Sequence, residues 1–347
     1  MKKLSIENNA IFILTDRLTR KYLCGVDVAE GILCAGQKLT LFTDARYFYG
    51  VKEKLEKVGV DCKLYKEQND LFSFIKQSGA QVLYIDYEKC SVKEYFDYLR
   101  LGCEIKDGCE ILSKLRSIKS QTEIENIKKA CEIMQKAYYS TLEYIKVGVS
   151  EVQVKEILED FMIKYGAEGS SFETIVAFGK NSAVPHHETG DTVLTENSVV
   201  LIDAGCLYKG YCSDLTRTCF FGVPDKKFID YYNAVLKANH LAQENIKNLT
   251  IAKEADGFAR DYLRTKGLSE YFTHSLGHGV GLEIHEYPRL SFKSDAVLQN
   301  DMVFTIEPGV YLDGEFGIRI EDTVLLNDGK VERLFSDDKN LLIIKQL

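Results

Sequence analysis

Residues 274–286 read H-S-L-G-H-G-V-G-L-E-I-H-E, and the interpretation of the whole chain starts from this stretch. Glycines at positions 277, 279 and 281 stand on both sides of His278, and glycine allows a backbone to come close to another group. A single histidine in such a setting is more often structural than catalytic. Its meaning therefore depends on the acidic residues that stand before and after it.

Four carboxylates in the same half of the chain stand at or beside the ends of apolar runs. Carboxylates are rarely buried unless they are paired or bind a metal. The first two are 11 residues apart (214 − 203) and the last two 14 (321 − 307), and each spacing suits a strand, a turn and a returning strand. The four are Asp203 in L-I-D-A-G, Asp214 in S-D-L-T-R-T, Glu307 in T-I-E-P-G-V-Y and Glu321 in G-I-R-I-E-D-T.

Each of these motifs also has a simpler interpretation. Asp203 and Asp214 are typical turn residues. Strand alternation puts Arg319 and Glu321 on one face, where they could form an ion pair. Taken together, however, four carboxylates and one imidazole match the ligands of a site for two neighbouring divalent cations. The combined pattern predicts a two-metal hydrolytic site.

The composition is that of a globular protein without a nucleic-acid or membrane partner. Of 347 residues, 45% are hydrophobic and 28% charged, and the formal net charge of −8 gives no attraction for nucleic acid or anionic membrane. Without a C-x-x-C pair, a secretory leader or a spanning apolar run, we expect the ten cysteines to be reduced thiols in a cytoplasmic protein. Cys206 and Cys212 flank the turn before Asp214, but hard cations prefer the oxygens already present.

Patterning divides the chain into two predicted domains, residues 1–115 and 116–347. The first alternates apolar runs with helical spacing and indicates an α/β fold, with strands at 10–15, 39–43 and 82–86 and helices at 48–58 and 71–77. In the second, capping boxes at Ser120 and Ser150 begin two helices, and two more are expected at 228–248 and 252–266. Its strands are predicted at 174–178, 199–203, 213–221, 302–306 and 317–326, which indicates an α+β fold with a curved antiparallel sheet.

These motifs, in this order, resemble those of the pita-bread metallopeptidases of the creatinase, aminopeptidase P and prolidase family. Further matches are F-E-T-I-V-A-F-G-K-N-S-A-V-P-H-H at 172–187, Y-L-C-G at 22–25 and L-F-T-D-A-R-Y at 41–47, so the resemblance covers nearly the whole chain. It implies a creatinase-like N-terminal domain, a pita-bread catalytic domain and a homodimer. It also implies two divalent metal ions per subunit, Mn²⁺ first with Co²⁺ or Zn²⁺ as alternatives, held by Asp203, Asp214, His278, Glu307 and Glu321.

The resemblance further implies an Xaa-Pro peptidase acting on proline-containing peptides. A hydroxide that bridges the two metals would attack the bond between an N-terminal residue and the following proline. The catalytic residues would be His186, His274, His285 and Glu307. The substrate-binding residues would be His186, His285, Arg289 and Arg319. His187 and His240 match no role and are interpreted as structural or surface residues.

Two activities within the family stay open on the sequence. A dipeptidase must bind the carboxylate of the proline in its substrate, and Arg289 in H-E-Y-P-R is the candidate for this role. The sequence fits equally well with an Arg289 that is an exposed loop residue without a binding role. An aminopeptidase P leaves that side open for longer peptides. Outside these two, the alternatives are a non-proline aminopeptidase and a non-catalytic, partner-binding protein of the same fold. The complete set of metal ligands disfavours the non-catalytic protein.

Overall fold

The computed structural model describes residues 4–345, and the chain folds into two compact units that divide between Leu115 and Arg116. No helix among the described residues is long and apolar enough to cross a membrane. All ten cysteines are free thiols.

The first unit is built on one mixed six-stranded sheet with the order β4-β3-β2-β1-β5-β6. Both faces of the sheet are covered, because alternate residues of the central strand enter different apolar clusters: Phe12 lies in one and Ile13 in the other. The strands are β1 (Ala10–Leu14), β2 (Ile32–Ala35), β3 (Leu39–Thr43), β4 (Asp61–Leu64), β5 (Val82–Ile85) and β6 (Glu104–Asp107). The helices are α1 (Arg17–Cys24), α2 (Ala45–Lys57), α3 (Gln68–Ser78), α4 (Val92–Leu99) and α5 (Cys109–Ser117), the last of which runs across the division between the units.

Two predicted capping boxes begin the first helices of the second unit. Ser120 accepts a hydrogen bond from the backbone N–H of Glu123, and Ser150 accepts one from that of Gln153. The later pair of helices ends within three residues of the predicted positions. The four are α6 (Gln121–Leu142), α7 (Glu151–Lys164), α8 (Lys226–Asn245) and α9 (Ala252–Thr265).

Strand pairing within residues 116–345 is antiparallel except between β12 and β20, and it forms four separate sheets rather than one. A three-stranded sheet joins β11 (Tyr211–Cys212), β10 (Cys206–Tyr208) and β7 (Gly169–Ser170), and a four-stranded sheet joins β20 (Ile343–Ile344), β12 (Leu215–Phe221), β9 (Ser198–Ala204) and β8 (Ile175–Phe178). A five-stranded sheet joins β14 (Glu286–Leu290), β13 (Gly277–Gly279), β15 (Val303–Ile306), β18 (Asp322–Asn327) and β19 (Lys330–Arg333). The fourth sheet is the hairpin of β16 (Gly309–Leu312) and β17 (Phe316–Arg319).

The single strand predicted at 317–326 is wrong, because the chain breaks at Ile320 and Glu321 into β17 and β18. The backbone groups at the break are bonded to other elements. The N–H of Glu321 donates to the carbonyl of Thr216 at 3.1 Å, and the side chain of Asn239 donates to the carbonyl of Ile320 at 2.9 Å. These bonds replace a continuous ladder, so Glu321 sits where the chain passes from one sheet to another.

A buried ion network lies directly beside this break. Arg217, 4% exposed, donates to both carboxylate oxygens of Asp337 and to Asp322, at 2.7 to 2.8 Å. Its guanidinium also donates to the carbonyl of Glu321. Asp322 is fully buried and accepts further bonds from Lys339 and Arg333. The network therefore fixes the backbone of Glu321 through its carbonyl group.

We expect Arg217→Met to lower the free energy of unfolding by about 3 to 5 kcal/mol, because it leaves buried carboxylates with one cation fewer. The matched control is Arg264→Met, which removes an exposed pair with Asp261 and should cost less than about 1 kcal/mol. Urea unfolding of both variants measures the difference. Equal losses in the two variants would contradict the prediction.

Candidate metal centre

The antiparallel pair of β9 and β12 brings Asp203 and Asp214 to the same end of one sheet. Asp203 is paired with Thr216, and Asp214 directly precedes β12. The intervening residues form the short hairpin of β10 and β11. The predicted strand, turn and returning strand is therefore present, with an extra hairpin at the turn.

The hairpin of β16 and β17 does the same for the other two carboxylates. Glu307 lies two residues before the hairpin and Glu321 two residues after it, and Gly309 is paired with Arg319. The first strand of a hairpin begins at the same end at which the second strand finishes. The two glutamates therefore lie at one end of this hairpin. This placement agrees with the spacing argument from the sequence.

His278 on β13 completes the cluster. Its Nε2 lies 3.6 Å from Oδ2 of Asp214 and 3.4 Å from Oε1 of Glu307. Ligand atoms of Asp214, His278 and Glu321 lie within 4.8 Å of one another, a spacing that could hold a metal ion. The Nδ1 of His278 is 3.1 Å from the carbonyl of Gly279, which makes Nδ1 the donor and leaves Nε2 with its lone pair towards the carboxylates.

The glycines around His278 are required by neighbouring strands of the protein. A Cβ at Gly277 would lie 2.0 Å from the carbonyl oxygen of Thr305, and a Cβ at Gly279 would lie 2.4 Å from that of Tyr287. The close approach expected from the sequence is thus an approach of β13 to its neighbours, which places His278 deep among the carboxylates.

The cluster carries more negative charge than the side chains around it compensate. When all four carboxylates are ionised, the single positive charge of Arg319 leaves three negative charges uncompensated. Burial, followed by the charges of Glu321 and Asp203, raises the pKa of Asp214 well above its usual range. Burial and the neighbouring acids do the same to the pKa of Glu321, and burial raises the pKa of Glu307 to about 8. Such a group of acids needs added cations to be fully ionised at neutral pH.

One fully buried oxygen of the cluster has no hydrogen-bond partner among residues 4–345. Asp203 accepts a hydrogen bond from Arg319 through Oδ2, and the oxygen without a partner is its Oδ1. A buried carboxylate oxygen left unpaired is costly unless a cation binds it. The predicted ligand set therefore fits divalent metal. Arg319 is bonded to Asp203, so the simple Arg319–Glu321 ion pair considered above is not formed; Glu321 accepts instead from the hydroxyl of Thr216 at 2.6 Å.

His274 is joined to Arg319 through a tyrosine. Nδ1 of His274 donates to the carbonyl of Ser275 at 2.8 Å, so Nε2 accepts from the hydroxyl of Tyr311 at 2.9 Å. That hydroxyl in turn accepts from Arg319 at 2.8 Å. Burial, together with Arg319, lowers the pKa of His274 to about 3. Both ring nitrogens of this neutral histidine are already bonded within the protein.

The other predicted substrate residues are more exposed and lie around the same cluster. His285 is exposed, and its ring centroid is 4.3 Å from that of His278. His186 is exposed too, and its charge contributes to lowering the pKa of both His274 and His285. Arg289 lies on β14 directly opposite His278 and donates to the hydroxyl of Ser275 at 3.0 Å. It is therefore a strand residue that faces the site, and the loop interpretation of Arg289 is wrong.

Sequence reasoning missed three hydroxyls that orient these groups. Thr216 bonds Glu321, Thr305 bonds Glu307 at 3.2 Å, and Tyr311 joins His274 to Arg319. A signal for the two threonines exists: each lies two residues from a predicted ligand, on the same face of an extended chain. Tyr311 gives no such signal, because its partner His274 is 37 residues away. Cys206 and Cys212 bond backbone carbonyls of Ala130 and Leu282 through their thiols.

The fold and the site define a metallopeptidase. Residues 125–328 match metallopeptidase family M24, and the chain belongs to that family. It is 38% identical to an Xaa-Pro dipeptidase of Pyrococcus furiosus over 323 residues, which are 92% of each chain. Among solved structures, it is similar to an Xaa-Pro dipeptidase from Bacillus anthracis (36% identity, TM-score 0.91, covering 96% of this chain and 95% of that one). It is also similar to an X-Pro aminopeptidase from Thermotoga maritima (32% identity, TM-score 0.86, covering 96% and 97%).

We expect removal of divalent metal with a chelator to lower the free energy of unfolding, and to lower it more as the pH rises. In the metal-free protein Glu307 has a folded pKa of about 8 against an ordinary 4.5, so the folded state holds a proton that the unfolded state releases. Stability then falls from about pH 5 to pH 8, by at most about 1.4 kcal/mol per pH unit for one proton.

Urea unfolding of metal-free protein at pH 5 to 8 measures this slope. Glu307→Gln should make the slope shallower, and the raised pKa values of Asp214 and Glu321 account for the slope that remains, whereas Glu188→Gln, at an exposed glutamate, should leave it unchanged. A metal-free protein whose stability does not depend on Glu307 in this range would show the prediction to be wrong.

Proposed function

We propose that this protein is a metal-dependent peptidase that hydrolyses the bond between an N-terminal residue and a following proline, with the dipeptide Xaa-Pro as its preferred substrate. The observation that carries the proposal is the cluster of Asp203, Asp214, His278, Glu307 and Glu321, with its unpartnered Asp203 oxygen, in a chain that is similar over nearly its whole length to Xaa-Pro dipeptidases.

The five residues of this cluster would hold two divalent ions, Mn²⁺ first. When bound, the ions would polarise the scissile carbonyl and acidify a water molecule. The excess of three negative charges supports two ions, because one divalent cation would leave the cluster negative. Thr216, Thr305 and the carbonyl of Gly279 would keep Glu321, Glu307 and His278 in their binding orientations.

Glu307 would transfer the proton. The leaving nitrogen of proline has to be protonated when the bond breaks, and Oε2 of Glu307 would carry that proton, since Oε1 accepts from Thr305. The nitrogen before bond cleavage has no N–H, so proline has to be recognised by the shape of its ring. His285, which is exposed beside His278, would donate to the oxygen that becomes negative at the scissile carbonyl.

His274 would act through its neighbours. Its two ring nitrogens are bonded to Ser275 and Tyr311, so its role is to hold Tyr311 and, through it, Arg319. Arg319 in turn bonds Asp203, which leaves the other oxygen of that carboxylate for metal. We therefore assign Arg319 to the support of the ligands and His186 and His285 to the substrate.

The preference for a dipeptide rests on Arg289. It lies on β14 opposite His278, and its charge contributes to lowering the pKa of His285, so a guanidinium stands close to the reacting centre. A proline carboxylate is the partner that such a guanidinium recognises best. A longer peptide would place a neutral amide there, which has no charge for the guanidinium to recognise.

The further expectations from the resemblance are that the protein is a cytoplasmic homodimer and that its partners are proline-containing peptides. Its net charge of −8 supports the absence of a nucleic-acid partner.

The Mn²⁺-loaded protein is expected to hydrolyse an Xaa-Pro dipeptide faster than an Xaa-Pro-Xaa tripeptide, and not to hydrolyse an Xaa-Ala tripeptide. Release of the N-terminal residue measures all three, with Asp214→Ala as the inactive control. Faster cleavage of the tripeptide would make the protein an aminopeptidase P. Cleavage of the alanine peptide would indicate a non-proline aminopeptidase, and no cleavage at all would contradict the peptidase assignment.

Arg289→Met is expected to lower kcat/KM for an Xaa-Pro dipeptide at least about ten-fold, because a charge-assisted hydrogen bond to the carboxylate is lost. The matched substrate is the same dipeptide with an amidated C-terminus, which lacks the negative charge and should respond little. The steady-state rates of wild type and variant on both substrates give the answer. An equal loss on both would mean that Arg289 does not hold the carboxylate.

A further inference from the structure

Glu151, the first residue of α7, is fully buried and accepts four hydrogen bonds from one short segment. Oε1 accepts from the N–H of Phe178 at 2.8 Å and from the side chain of Asn181 at 2.8 Å. Oε2 accepts from Nε2 of His187 at 2.9 Å and from the N–H of Gly190 at 3.2 Å. All four donors belong to residues 178–190, which we call the anchored segment.

A buried carboxylate of this kind fixes its donors. If the anchored segment moved away, the carboxylate of Glu151 would lose the hydrogen bonds that compensate its burial. The helix N-terminus at Glu151 adds a favourable interaction with the negative charge, which holds the carboxylate itself in place.

The other side of the anchored segment meets the hairpin that carries Arg319. The hydroxyl of Ser182 accepts from the N–H of Gly317 at 2.8 Å, and Arg319 donates to the carbonyl of Pro185 at 3.4 Å. A Cβ at Gly317 would lie 1.9 Å from the carbonyl oxygen of Ser182, so the two chains touch through their backbones. The segment is therefore held between α7 and β17, next to the metal centre.

The two adjacent histidines of the segment face different surroundings. His187 reaches the buried Glu151, whereas His186 is exposed and its charge acts on His274 and His285 at the metal centre. Because the side chains belong to neighbouring residues, fixing the ring of His187 also fixes the backbone from which His186 extends. His187 is thus explained by a contact that the sequence did not reveal.

We propose that Glu151 and His187 form an anchor that positions His186 towards the peptide substrate, so that His187 affects hydrolysis only through His186. The inference rests on the proposed function, in which His186 contacts the substrate. Glu151 and His187 are positioning residues, since neither touches the substrate or the metal ligands.

A double-mutant cycle tests this dependence. His187→Ala is expected to lower kcat/KM for an Xaa-Pro dipeptide about ten-fold, equivalent to about 1.4 kcal/mol. In a protein that already carries His186→Ala, the same change should alter kcat/KM less than about two-fold, because the residue through which it acts is gone. Equal losses in the two backgrounds would overturn the proposal.

Three comparisons separate positioning from a general loss of folding. His187→Gln offers an amide donor to Glu151 and should recover most of the activity lost in His187→Ala. His240→Ala, at a half-buried histidine on α8, is the matched control and should keep wild-type activity. Failure of the glutamine variant to recover activity, or an equal loss in the His240 variant, would count against the anchor.

Hydrogen exchange gives a readout that does not depend on the substrate. In His187→Ala, amides of residues 178–190 should exchange faster than in wild type, while those of β9 and β12 should be unchanged. If wild type hydrolyses no proline peptide, the proposed function falls together with the substrate role of His186, and exchange still decides whether the anchor exists. Unchanged exchange in residues 178–190 would overturn it.

Discussion

Four carboxylates around one guanidinium, two of them buried and two partly buried, are the constraint on which the second unit depends. Burial and mutual repulsion raise the pKa values of Asp214, Glu307 and Glu321, and one oxygen of Asp203 has no hydrogen-bond partner among the described residues. A protein interior accepts such a concentration of negative charge when cations bind it. The two hairpin-like connections bring the four carboxylates together, and the glycines beside His278 let its strand come close to them.

Polar residues around the cluster hold the predicted metal ligands in place, some by direct contact and some through the backbone. Thr216, Thr305 and Tyr311 contact the predicted ligands or Arg319 directly, and the Arg217–Asp322 network holds the backbone at Glu321 from behind. Each of these groups restricts a rotamer or a backbone position that metal binding would otherwise have to fix at an entropic cost.

Much of the candidate site could be predicted from the sequence, because acidic residues at the ends of apolar runs stand out against the expected pattern. Asp203, Asp214, Glu307 and Glu321 were found in this way, and their spacing gave the hairpins. The break at Ile320 was missed, since its backbone groups bond Thr216 and Asn239, which are distant in the chain. Glu151 was missed for the same reason: its partner His187 lies 36 residues away, and no local pattern marks the pair.

Crystals grown with Mn²⁺ and measured on both sides of the manganese absorption edge would show whether these five residues bind two divalent ions. We expect two anomalous peaks among Asp203, Asp214, His278, Glu307 and Glu321. A single peak, or manganese bound away from these side chains, would contradict this expectation.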